Sequence, residues 1–318
     1  MINALEFLER HKNWKFPYFR DTPLEHQLGW RAVGFSLWAH GNISFMDALR
    51  NASVPPVKSQ EVMKRVWDAV TKVFIKDVER ENLIRDGMEV FGRPFHIGND
   101  RDDNAKWVAT FKTLNESIAS DQYRIKKYLK PNAIVVDAGA NIGAFSVHAA
   151  TRAPQGFVHS FEPNPPTFKV LHSNLSGYKN VTLYPMALGE KEKEINFIAN
   201  IDCPAASSLE DSGMPFAAYA NNAPPQKVKV TTIDSLRLPR LDFLKIDTEG
   251  YEAQIIHGGK DTIRKFRPVI AMEVHHLGID EVEIPKLLNS IAPGYSHSVK
   301  KGCDIVMVCQ QKSRYIQP

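Results

Sequence analysis

Cysteine is scarce in this chain. Its three cysteines, Cys203, Cys303 and Cys309, form no C-x-x-C pair and leave an odd count. That argues against a disulfide framework or a thiolate zinc site, and makes a reducing cytoplasm the expected compartment. Long hydrophobic runs are missing too. No stretch reaches the roughly 18 apolar residues of a membrane-spanning helix, and the opening MINALEFLERHKNWKF lacks the continuous apolar centre of a secretion signal. No membrane span is expected. Nor is charge concentrated: Lys and Arg outnumber Asp and Glu by 40 to 36, but the excess forms no dense basic run, so nucleic acid is not an expected partner. Glycine and proline, at 18 and 20 residues, are too few for collagen-like or disordered chain. What remains is globular composition at a length that suits one large domain with an appendage, or two domains.

Two textures divide the chain. The first part mixes aromatic residues (Trp14, Phe16, Tyr18, Phe19, Trp30) with polar ones and shows no catalytic spacing. After Pro55-Pro56, apolar residues at 62, 63, 66, 67, 70, 73 and 74 recur at helical spacing, predicting an amphipathic helix to about residue 83 whose stripe serves packing. Gly-Pro punctuation over 87–99 predicts a short hairpin or loop, and helices return over 102–129 with Trp107, Phe111 and Leu114 on one face. Lys130-Pro131-Asn132 is a break, and the domain boundary is placed there: a mainly helical region 1–130, suited to acceptor binding or dimerisation, and a second domain 131–318.

From residue 133 strands and helices alternate. Strands are expected at 134–137, 157–162, 181–185, 243–246 and 269–273, with helices at 142–151, 165–176, after Gly250 and near 282–290. The alternation predicts an α/β fold with an open, mostly parallel, doubly wound sheet. Segments 194–199 and 227–232 read as an inserted antiparallel pair around a long loop, and strands near 295–299 and 305–309 supply an antiparallel edge.

The segment Val135-Val136-Asp137-Ala138-Gly139-Ala140-Asn141-Ile142-Gly143 runs from strand through a tight turn into helix, the junction at which open parallel sheets bind ligands. A dinucleotide fingerprint would read G-x-G-x-x-G, but counted from Gly139 the later positions hold Asn141 and Ala144. Asp137 would repel a pyrophosphate and attract a cofactor bearing a sulfonium and an amino group. At the end of the next strand, Phe161-Glu162-Pro163-Asn164 places a carboxylate where an acid accepts hydrogen bonds from both ribose hydroxyls of a nucleoside.

The series VVDAGANIG, SFEPNP, NVTLYPMALGE, VKVTTIDSL, LDFLKIDTEGYE and PVIAMEVHH resembles the FkbM family of methyltransferases, class I enzymes with a Rossmann-like fold that use S-adenosyl-L-methionine. The resemblance implies methyl transfer to a hydroxyl of a saccharide or glycosylated natural product. It also implies that Asp137, Gly139, Asn141 and Gly143 line the methionine end of the cofactor, that Glu162 holds the ribose, with Asn164 beside it in the same block, and that Met186 and Ala187 make adenine-side backbone contacts.

Methyl transfer to a hydroxyl needs collinear acceptor, methyl carbon and sulfur, and a group to remove the proton. Candidates cluster after two strands: Asp247 and Glu249 before the turn at Gly250, and Glu273 and His275 after 269–272. His275 has the pKa range for a base, Asp247 competes with it, and Asp247 and Glu249 have the alternative of capping the helix at Gly250. Together with Glu273 and His275 they could instead form an oxygen-rich divalent-metal site, magnesium being the ion such donors favour. Lys245 shares a strand face with Asp247 and could neutralise buried carboxylates. Ser207 and Ser208, in the inserted loop, could touch the cofactor carboxylate or cover the acceptor. The expected partners are a small-molecule or glycan acceptor, with a homo-oligomer left open. An NAD-dependent oxidoreductase and a catalytically silent cofactor-binding partner protein are the competing functions.

Overall fold

The computed structural model describes residues 2–3, 88–98, 110, 113–119, 121–199, 207–213, 223–274, 280–300 and 304–309. The chain divides into two compact units, Met1–Asn115 and Glu116–Pro318. In the first, β1 (Ile2–Asn3) pairs parallel with β2 (Met88–Val90), which turns back into β3 (Arg93–Phe95). Phe91 and Gly92 make the turn with φ of 51° and 73°, the positive pair a two-residue hairpin needs to match strand twist. The helix expected over 62–83, and Trp107 and Phe111, lie outside the described residues.

The second unit starts ahead of the Lys130-Pro131-Asn132 break because Tyr123, Ile125 and Leu129 are part of its core. Its order is α1 (Ile125–Tyr128), β4 (Ile134–Ala138), α2 (Ala144–Arg152), β5 (Phe157–Phe161), α3 (Pro165–Leu175), β6 (Val181–Tyr184), β7 (Ala187–Leu188), β8 (Lys193–Ile198), β9 (Ser208–Leu209), β10 (Gln226–Thr231), β11 (Phe243–Ile246), α4 (Glu252–Gly258), α5 (Lys260–Phe266), β12 (Val269–Glu273), α6 (Asp280–Ile291), β13 (Tyr295–Lys300) and β14 (Asp304–Cys309).

Seven strands form the main sheet in the order β13-β14-β12-β11-β4-β5-β6. β12, β11, β4, β5 and β6 run parallel, and β14 lies antiparallel between β12 and β13. The pair expected to supply the antiparallel edge is β13 with β14, and β14 is the strand that meets β12. The inserted pair is β8 against β10, extended to four strands by β7 and β9.

Central strands bury both faces, which is why β4 and β11 read as nearly continuous apolar runs. Val135, Phe243 and Ala271 face Phe145 and Ala149 of α2 and the segment around Tyr123 and Ile125. Val136, Leu244, Ile246 and Met272 face the opposite side, with Ile255 and Ile256 of α4 and the second sheet. Two residues break the apolar pattern on the α2 side: Asp137, and Lys245 directly across from it in register. Strand order reverses between β4 and β11, so the crevice beyond their carboxyl ends is the topological switch point where such sheets bind ligands.

Candidate active site

At that crevice β4 gives way to a turn folded over the end of β5, the N–H groups of Gly139 and Ala140 both donating to the Phe161 carbonyl at 3.1 and 2.9 Å. Gly139 has φ 75°, and a Cβ there would overlap the carbonyl oxygen of Asp247. Glycine is thus required by the close approach of two backbones. Gly143, with φ 97°, begins α2, and a Cβ on it would come within 2.9 Å of Leu171 Cδ1 on α3. Both requirements arise inside the protein, so a ligand would meet the turn through its backbone.

Glu162 leaves β5 buried, its Oε2 accepting the Asn141 N–H at 3.0 Å and its Oε1 the Asn164 N–H at 2.9 Å. Asn141 reaches this geometry at φ 50°, a left-handed conformation that asparagine tolerates better than most residues. Burial pushes the carboxyl up to about 7, against the pull of the Asn164 and Asn141 N–H groups and the Lys245 charge. Each carboxylate oxygen has a lone pair beyond the one so engaged. Nearby, Asn164 Nδ2 donates to Thr167 Oγ1 at 3.0 Å while its Oδ1 is buried without a hydrogen bond. These buried acceptors fit a ligand that brings donors, as a ribose diol and an amino group do.

Beneath the turn Asp137 is fully buried. Its Oδ1 faces the Lys245 ammonium at 3.1 Å and its Oδ2 accepts the Ser146 hydroxyl at 2.5 Å, with Ser146 in turn 2.7 Å from Ser160 Oγ. Lys245 also donates to the Gly139 carbonyl at 2.6 Å and lies 3.8 Å from Asp247 Oδ2. Burial works against its charge, but Asp137 and Asp247 outweigh that and hold the ammonium above the usual lysine range. Asp137 therefore bears on the crevice through Lys245 and the turn it grips.

The rim is formed where β11 and β12 end. Asp247, with 28% of its side chain exposed, accepts the Tyr123 hydroxyl on Oδ2 at 3.1 Å, and Glu273 accepts Gln122 Nε2 on Oε1 at 2.7 Å. Glu249 follows at φ 54°, half-buried. Helix α4 takes no side-chain cap at Tyr251; the Thr248 N–H and hydroxyl go instead to Glu252 Oε1 at 3.1 and 3.2 Å. Gln122 and Tyr123 were not singled out by sequence spacing, standing before the expected boundary in a stretch, 102–129, that reads as helical and that a turn at 121–124 interrupts.

Ala187, for which a backbone contact is expected, is in β7 with its side chain in the core beside Leu188 and Val230. Ser208 is buried in β9, paired with Ile198, and Ser207 precedes it half-buried. His275 lies outside the described residues. Among the described residues no three His, Cys, Asp or Glu side chains converge as a metal site, and the ammonium of Lys245 already stands between Asp137 and Asp247.

Against known proteins, residues 137–297 match the methyltransferase FkbM domain. Hexuronic acid methyltransferase AglP of Haloferax volcanii is 27% identical over 164 residues, covering 49% of this chain and 61% of that protein. The 31-O-demethyl-FK506 methyltransferase FkbM of Streptomyces tacrolimicus is 27% identical over 177 residues, covering 46% and 67%. Across matched relatives this chain covers from 8% to 67% of their own length. A crystal structure of methyltransferase FkbM from Methylobacillus flagellatus KT aligns with a TM-score of 0.43 at 15% identity, over 71% of this chain and 57% of that one. Among the described residues no helix is long and apolar enough to cross a membrane.

Proposed function

The chain belongs to the FkbM methyltransferase family, and on that premise we propose that it transfers a methyl group from S-adenosylmethionine to a hydroxyl of a saccharide or glycosylated natural product. The observation that carries the cofactor is Glu162: a buried carboxylate at the switch point, fixed by two backbone N–H groups and retaining acceptor capacity for a diol. The acceptor class is supported by relatives named for a hexuronic acid and for 31-O-demethyl-FK506. Family membership displaces the oxidoreductase reading, whose glycine fingerprint fails at Asn141 and Ala144.

When bound, S-adenosylmethionine supplies the methyl group as a sulfonium electrophile. Glu162 orients the nucleoside, and Lys245 holds the glycine turn through the Gly139 carbonyl. Asp247, at the rim beside that turn, receives the acceptor's proton. As the new oxygen–carbon bond forms the hydroxyl becomes strongly acidic, so a positioned carboxylate suffices. His275 is the competing base.

Calorimetry with S-adenosylmethionine, S-adenosylhomocysteine and NAD tests the cofactor, and transfer of a labelled methyl group to a panel of saccharides and glycosides tests the reaction. Tight binding of NAD with no affinity for the sulfur nucleotides would overturn the proposal.

A further inference from the structure

Residues 121–124 precede the stretch matched to the family, yet two of them reach the rim of the site. In β11 and β12 the register pairs Ile246 with Met272, so Asp247 and Glu273 leave adjacent parallel strands side by side. The consecutive residues Gln122 and Tyr123 meet these two acids one each, at 2.7 Å to Glu273 and 3.1 Å to Asp247. Both donors are buried, at 3% and 4% exposure. The Tyr123 ring packs edge-on against Phe145 with centroids 5.4 Å apart, and the Lys245 ammonium lies 5.8 Å from its centroid.

The backbone holds the pair in place. Asp121 and Arg124, flanking it, both adopt left-handed φ, 49° and 54°, although neither is glycine. The Gln122 N–H donates to the Glu116 carbonyl and the Arg124 N–H to the Asp121 carbonyl, both at 2.9 Å. The Asp121 carboxylate accepts the Lys126 N–H in α1 at 3.2 Å. A turn closed by two such residues holds strain that the surrounding structure must overcome, and strain of this kind gathers at functional sites.

We propose that Gln122 and Tyr123 form a positioning clasp that fixes the carboxylates of Asp247 and Glu273 in the orientation the methyl-transfer step uses. This rests on the methyltransferase reading above. Asp247 Oδ2 is the oxygen gripped by both Tyr123 and Lys245, so the hydroxyl sets the rotation of the carboxylate about its own axis, which an ion pair at 3.8 Å alone does not. The side chains act through the acids, and neither is assigned a contact with the reacting atoms.

The test uses Y123F, which keeps the ring on Phe145 and removes only the hydroxyl, and Q122M, which keeps the side-chain length. Two readouts are taken on the full chain: the Asp247 carboxyl titration by NMR with ¹³C-carboxyl aspartate, assigned with D247N, and the pH profile of turnover with the saccharide selected by the labelling screen. A carboxylate that loses a hydrogen-bond donor is harder to ionise, so in Y123F the Asp247 titration and the acid limb of kcat should both move up by about half to one pH unit. Turnover should fall by roughly tenfold with KM for the saccharide unchanged, in keeping with a misoriented proton acceptor. Q122M should lower kcat without moving the Asp247 titration. S-adenosylhomocysteine affinity should stay within about twofold in both variants, Glu162 keeping its bonds to Asn141 and Asn164. An Asp247 titration identical in wild type and Y123F, or a Y123F enzyme with wild-type kcat and acid limb, overturns the clasp. A wild type that labels no acceptor overturns instead the function on which the clasp rests, and is told apart because the NMR shift persists.

Discussion

Cofactor affinity should depend on pH through Glu162. Its carboxyl, pushed up to about 7 by burial, is half protonated near neutrality in the free protein. A ribose diol donates hydrogen bonds and so prefers the carboxylate. Binding then draws the group to its ionised form and releases a proton wherever Glu162 was protonated beforehand. With a free-state value near 7, about nine in ten molecules are protonated at pH 6 and about one in ten at pH 8. The apparent dissociation constant for S-adenosylhomocysteine should therefore rise by roughly tenfold from pH 8 to pH 6, about 1.4 kcal/mol of affinity.

Calorimetry in two buffers of different ionisation enthalpy measures both quantities. Proton release should approach one per cofactor at pH 6, about a half at pH 7, and vanish near pH 8. Replacing Glu162 by Gln should weaken binding by about 1–3 kcal/mol at pH 8 and flatten the pH dependence, because the amide neither titrates nor accepts on both atoms. The sign is also fixed for stability. A carboxyl raised above its ordinary 4.5 favours the folded, unliganded chain fully below pH 4.5, and that contribution is lost as pH rises through about 7. Cofactor should restore it. A wild-type dissociation constant that stays constant from pH 6 to pH 8, with no proton released, would refute the reasoning.

Three further outcomes are expected. Gly139→Ala should cost about 2 kcal/mol or more, since a left-handed L-residue alone costs about 1–2 and its Cβ would meet the Asp247 carbonyl; an unchanged denaturation midpoint would contradict the turn geometry. Lys245→Met should destabilise by about 3–5 kcal/mol by leaving Asp137 buried without its counter-charge, and adding Asp137→Leu should recover part of the loss in the same urea titration. Asp247→Asn should lower turnover by about 10²-fold or more with a chelator having no effect on the wild type, whereas a larger loss in His275→Ala, or activity abolished by chelator and restored by magnesium, would move proton removal to the histidine or to a metal.

The glycine turn and Glu162 were legible because each sits where an apolar strand gives out at a polar residue, and the two junctions are one βα unit apart. What marks them is position. The neutralisation of Asp137 was partly legible: Lys245 reads as a partner for buried carboxylates, but the register that sets it beside Asp137, from a strand far along the chain, appears only in the structure. The place of β14 was hidden for a different reason: a terminal hairpin offers either of its strands to β12, and both alternate in the same way. Gln122 and Tyr123 fall in a stretch that reads as helical, and the turn that aims their polar tips at the two acids is set by tertiary contact.

Backbone strain separates site from scaffold more sharply than residue type does. Seven described non-glycine residues have positive φ: Phe91, Asp121, Arg124, Asn141, Arg237, Glu249 and Arg267. Three have ordinary structural reasons. Phe91 belongs to a two-residue hairpin, and Arg237 and Arg267 end a 3₁₀ turn and α5, where a left-handed residue closes the last carbonyl. The other four border one crevice: Asn141 gives its N–H to Glu162, Glu249 follows Asp247, and Asp121 and Arg124 flank the residues that hold Asp247 and Glu273. Arg124 is also the residue at which α1 starts; of the other three, Asn141 and Glu249 follow the adjacent strands β4 and β11, and Asp121 precedes the residues that hold Asp247 and Glu273. Strain at a point is tolerated when the groups it aims are fixed by what they must do, so the conformation of Asp121 supports the clasp proposed for the residues beside it.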